Sequence, residues 1–212
     1  MKIRSLVELQ DGLDREFSWR LKEISQLKKG PKKVTAMAEK TLIRAGVALL
    51  YAHWEGFIQA SAKIYASYVF RQRVSLVELI PCFASMALKS SLASMTREGQ
   101  SALQIAAFED ILNSLGAPSK TDFSNQISAK SNLNSSVFST IATLLGIDVR
   151  WYEPKFNLID ESLLSRRNKI AHGEYIDIEY EPFGELADTV ILLMRTFKTD
   201  IENAAYSKSF LK

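Results

Sequence analysis

The sequence predicts an all-α fold, and three observations carry that reading. Long stretches place apolar residues three and four apart, the spacing that lines one face of an α-helix. Glycine or proline closes several of those stretches, as helix ends require. No sustained alternation of apolar and polar residues marks out a strand.

The first stretch, about Arg4 to Lys29, carries Leu6, Leu9, Leu13, Phe17, Leu21, Ile24 and Leu27 as one stripe, and Gly30-Pro31 ends it. A second helix is expected from Val34 to about Arg71. It has no internal proline, and its middle, LLYAHWEGFIQ, is dense in large apolar groups, which places it deep in the core. Pro81 suits the first turn of a helix running to about Met95. Ser101 to Leu115 reads as another, closed by Gly116. SKTDFSNQISAKSNLNSS reads as a loop whose last residues cap a short helix over Val137 to Leu145, stopped by Gly146. IDVRWYEPKFN is irregular, because Pro154 pushes Glu153 toward extended conformations. Asn157 to His172 reads as a helix, EYIDIEYEP alternates as an extended segment does, and a long last helix spans about Pro182 to Tyr206. There is no internal repeat and no clear linker. The expectation is one domain over residues 1–212, with a smaller inserted helical and loop region at about 75–135.

Composition narrows the function. With 47% hydrophobic residues the chain can bury a core, and Lys and Arg exceed Asp and Glu by 27 − 24 = 3, a balance that permits contact with a polyanion without arguing for one. Cys82 is the one cysteine, so no internal disulfide and no thiolate zinc site can form. His53 and His172 are the two histidines, and neither lies in a metal-ligand spacing, so no metal or other cofactor is expected. No run of about 18 apolar residues and no signal-like start occurs, which leads us to expect a cytoplasmic protein that does not enter the membrane.

One stretch concentrates chemistry: Arg166-Arg167-Asn168-Lys169-Ile170-Ala171-His172-Gly173-Glu174. Basic residues in a last turn followed by glycine also describe an ordinary helix end. The same residue types can cleave RNA. Histidine moves protons near neutral pH, arginine holds a phosphate through two hydrogen bonds, and asparagine orients either. A base would take the proton of a ribose 2′-hydroxyl, whose oxygen attacks the adjacent phosphorus. An acid would protonate the leaving 5′-oxygen while a cation steadies the phosphorane, leaving a 2′,3′-cyclic phosphate. Geometry resists this in a regular helix, where positions five apart lie about 140° around the axis. Either the helix ends at Ala171 so that His172 turns back, or a twofold partner supplies the other half of the cleft.

Arg167-Asn168-Lys169-Ile170-Ala171-His172, an arginine, a polar residue, three more and a histidine, resembles the Rx4–6H motif of the HEPN superfamily (higher eukaryotes and prokaryotes nucleotide-binding). LLYAHWEGFIQASAKIY, SNLNSSVF, LLGIDV, YEPKFNLIDESLLSRRNKIAHGE and DIENAAYSKSFL are similar to a bacterial HEPN family of HEPN-like nucleases, from about residue 40 to the C-terminus. The resemblance implies a helical bundle that forms a homodimer through the motif face. It implies a metal-independent endoribonuclease of toxin or phage-defence type, with RNA as substrate and, for a toxin, a neutralising antitoxin as partner. Arg167, Asn168 and His172 are the catalytic residues carried over. Some members of the superfamily are non-catalytic modules that bind protein or RNA, which is the alternative here.

Supporting groups are weaker candidates. His53 reads as a core histidine or as a second polar group in the cleft. Glu55, costly to bury alone, is expected to pair with Arg167. Lys130, Asn132 and Asn134 fall in the polar run before the helix at Val137, where they can cap it or meet phosphate. Tyr51, Trp54, Tyr65 and Tyr68 recur at helical spacing and read as packing.

Overall fold

The structure is a computed structural model that describes residues 3–31, 35–97, 100–127 and 132–212. It is all-α. Its helices are α1 (Leu6–Lys29), α2 (Ala36–Arg71), α3 (Pro81–Ala87), α4 (Lys89–Met95), α5 (Ser101–Ser114), α6 (Ser135–Leu144), α7 (Arg166–Ala171) and α8 (Tyr180–Tyr206), with short 3-10 turns at Phe123–Gln126 and Glu153–Lys155. Among the described residues no strand forms, and two isolated bridges, Ser75 with Pro118 and Leu79 with Leu211, tie down the segment before α3. None of the described helices is long and apolar enough to cross a membrane.

The bundle is built on α2. Its buried residues, among them Leu50, Tyr51, His53, Trp54, Phe57 and Ile58, cover a face wider than a single stripe, so more than one neighbour packs on it. α1 and α8 pack on α2 and on each other, α7 lies on α2, and α6 packs on α2 and α3. Gly46 lets α8 approach closely: a Cβ there would stand 2.7 Å from Cζ of Phe183. Phe138 of α6 joins the layers, its ring 5.4 Å from Trp54, 4.9 Å from Tyr152 and 5.7 Å from Phe197.

Several boundaries differ from the sequence reading. Ser5 caps α1 through a reciprocal box with Glu8, so the helix begins there. The helix expected from Pro81 to Met95 breaks at Leu88. Its first half sends Phe83 and Met86 into the core, and its second turns toward α5, where Ser91 donates to Asp110 at 2.6 Å. Pro182 lies inside the first turn of α8, where the backbone N–H it lacks would have no helical acceptor. Residues 174–179, expected to be extended, are irregular. The helix expected over Asn157 to His172 is continuous but changes pitch. Leu158–Ser165 is π-helical and passes directly into α7.

Phe138 is fully buried against three rings on three elements. Phe138→Ala should lower stability by about 3–5 kcal/mol, read as a fall in the urea midpoint at unchanged slope.

Candidate active site

The motif occupies the last turns before the chain leaves the bundle. α7 ends in a full Schellman turn: Gly173 N–H donates to Ile170 O at 3.1 Å, and Glu174 N–H to Lys169 O at 2.9 Å. Gly173 takes φ +80, a conformation that glycine adopts without strain. Arg44 of α2 donates to the Glu174 carbonyl at 2.9 Å, and Lys40 pairs with Asp177 at 2.9 Å, so the departing chain is stitched to the first half of α2.

Arg167 faces α2. Its guanidinium lies 4.1 Å above the Tyr51 ring, Nη2 donates to Asn132 Oδ1 at 3.1 Å, and the same nitrogen is 3.8 Å from Glu55. Glu55 also accepts from Gln59 at 3.1 Å. Tyr51 accepts the Leu133 N–H at 2.6 Å in a buried site. Burial first, and then its interaction with the Glu55 carboxylate, push the Tyr51 phenol up to about 12, so it stays protonated through the neutral range.

The loop before α6 is therefore fastened to the motif arginine twice, through Asn132 and through Leu133 on Tyr51. Its third anchor is Asp160 of the π-helical stretch, which accepts from Ser135 N–H at 2.7 Å and from the Ser135 hydroxyl at 2.6 Å.

Asn168 is half-buried on α7, and its carbonyl accepts the His172 N–H at 3.0 Å. His172 is exposed at the helix C-cap with φ −85 and ψ 5. Its φ is near the helical range while its ψ has left it, and the chain reverses at Gly173. On helical geometry the Cβ of His172 then stands about 140° around the axis from that of Arg167.

The other candidates divide. Glu55 and Asn132 stand with Arg167. Asn134 is the N-cap of α6, accepting from Val137 N–H at 2.8 Å, and is taken up by that role. Lys130 lies outside the described residues. His53 is two residues from Glu55, on another side of α2. It is buried against α1, 5.3 Å from the Trp19 ring, with Nε2 3.1 Å from Glu23 but off the hydrogen-bonding direction. It does not join the Arg167 group. Tyr51, read as packing, is both buried and part of this group. Arg44, Tyr51 and Glu55 are spaced seven and four apart, so the sequence did hold a signal that they share one face of α2. Among the described residues no three His, Cys, Asp or Glu side chains gather to hold a metal ion.

A helical bundle that presents an Arg-Asn-x-x-x-His helix end against its central helix is of the HEPN type. The family model described as RiboL-PSP-HEPN matches residues 15–203, and the chain belongs to that family. No curated protein and no solved structure matches the chain.

Burial, ahead of the opposing pull of Glu23 and with the nearby Arg20 charge, lowers the His53 pKa below its ordinary value. The unfolded chain then binds the proton that the folded chain refuses, so stability falls as pH drops below about 6.5. Denaturation midpoints followed from pH 7.5 down to 5 should fall more steeply for the parent than for His53→Gln.

Proposed function

We propose that the protein is a metal-independent endoribonuclease that works as a homodimer. The observation that carries this reading is the pose of Arg167. A guanidinium is held near a helix end by a ring, a carboxylate and an amide, in a member of a HEPN family, with His172 exposed five residues further on. Arg167 would bind the scissile phosphate and steady the charge of the phosphorane. Asn168 would orient the phosphate or the imidazole, and His172 would carry the proton.

The splay between Arg167 and His172 favours a cleft shared by two chains. A twofold axis at the α7 end would bring the Arg167 of one protomer toward the His172 of the other, and two imidazoles could then serve as base and acid. Toxin or phage-defence action, with a neutralising antitoxin in the former case, is the biological setting we propose. A second reading draws on the same contacts. With Arg167 already engaged by Tyr51, Glu55 and Asn132, the motif could be a structural joint in a non-catalytic binding module.

Purified protein incubated with structured RNA in excess EDTA should produce fragments ending in 2′,3′-cyclic phosphate. His172→Ala and Arg167→Ala should each lower the rate by about 10²-fold or more. Equal cleavage by His172→Ala would sink the nuclease reading, and absence of cleavage by the parent on any RNA tried would favour the binding module. If the cleft is shared, specific activity should drop as the protein is diluted through the dimer dissociation measured by light scattering. Constant specific activity in a proven monomer would remove the two-chain cleft.

A further inference from the structure

We propose that Tyr51 is the positioning residue of this site: its ring carries the Arg167 guanidinium, while its hydroxyl locks the Asn132–Leu133 loop that holds the same guanidinium from the side. The proposal rests on the nuclease reading above for its kinetic consequence, but its geometry stands apart from it.

Two independent contacts meet in this one side chain. On the face of the ring, Arg167 sits at 4.1 Å, close enough for a cation–π attraction in a partly desolvated place. At the edge, the hydroxyl oxygen accepts the Leu133 N–H at 2.6 Å. Leu133 is fully buried, so that N–H has no water to turn to if the hydroxyl is removed. One residue earlier, Asn132 Oδ1 accepts from Arg167 Nη2 at 3.1 Å. Ring, hydroxyl, loop and guanidinium thus close a circuit, and a shift of the loop is felt at the arginine. Tyr51 is buried and keeps its proton at neutral pH, which sets it apart from the groups that would move a proton and leaves orientation as its task.

A planar guanidinium binds a phosphate through a fork of two N–H groups, so its tilt matters as much as its position. Glu55 alone, at 3.8 Å, would hold the charge near α2 without setting the tilt. The ring plane and the Asn132 carbonyl set it.

Two variants separate the parts. Tyr51→Phe keeps the ring and drops the hydroxyl, and Tyr51→Leu drops both. The first readout is single-turnover cleavage of RNA by the full-length protein, with folding of each variant checked by circular dichroism. The rate at saturating protein should fall on the order of tenfold for Tyr51→Phe and on the order of a hundredfold for Tyr51→Leu. The protein concentration giving half-maximal rate should change little, because the phosphate still meets a cation. The second readout needs no activity. In the parent, the NMR signal of the Arg167 Nε–H should be shifted upfield by the ring below it. The shift should survive in Tyr51→Phe with altered line width and vanish in Tyr51→Leu. A folded Tyr51→Leu that cleaves at the parent's rate, or an Arg167 signal unmoved by loss of the ring, would overturn the proposal. A parent that cleaves no RNA would bring down the nuclease reading alone, because the NMR arm would still decide whether Tyr51 sets the pose of Arg167.

Discussion

A guanidinium set against the most buried helix of the bundle is the constraint around which this end of the molecule is arranged. Arginine carries a permanent, delocalised charge, and the Arg167 side chain is only 23% exposed. Taking that charge out of water is costly unless partners replace the lost hydration. The partners come from two directions. Tyr51 and Glu55 rise from α2, and Asn132 arrives from the loop before α6. Each arrives with a support of its own: Leu133 on the Tyr51 hydroxyl, Gln59 on Glu55, and Asp160 gripping Ser135 just beyond the loop. A charge that needs this many neighbours makes four separate parts of the chain agree on one arrangement.

The helical segment 158–171 shows how the backbone serves the same end. A π-helical stretch winds more loosely than an α-helix, so its passage into α7 resets which face the later residues present. Asp160 lies on the π-helical side of the join and reaches α6, while Arg167 lies on the α-helical side and reaches α2. The Schellman turn at Gly173 then stops α7 sharply, and Arg44 holds the departing carbonyl. Both ends of the motif are therefore fastened, and the exposed imidazole of His172 stands on a rigid base.

Much of this was legible in the sequence, for identifiable reasons. α1, α2 and α8 are long enough for a 3.6-residue period to stand out, and Gly146 and Gly173 mark helix ends where the chain takes a positive φ. The pairing of Glu55 with Arg167 could be expected because a carboxylate in an apolar helix needs a cation. Other features were hidden. Eight residues are too few to tell π-helical from α-helical spacing, so Leu158–Ser165 read as ordinary helix. The break at Leu88 depends on Ser91 meeting Asp110 on another helix, which no local pattern announces. His53 could not be assigned a side without knowing that α1 covers it, and Tyr51 reads as packing because a buried ring at helical spacing looks the same whether or not a guanidinium lies on it.

The geometry also bears on how such a site could be switched on. Within one chain Arg167 is already partly balanced by Glu55, and helical spacing sets His172 about 140° away around the α7 axis. Under the nuclease reading proposed above, a phosphate entering the site would displace part of the Glu55 interaction, and a second group would bring the proton carrier. The proposed homodimer would meet the second requirement, by bringing the His172 of one protomer toward the Arg167 of the other. In the homodimer proposed above, a lone protomer would hold its arginine in place but lack the partner's imidazole, so assembly would complete the site.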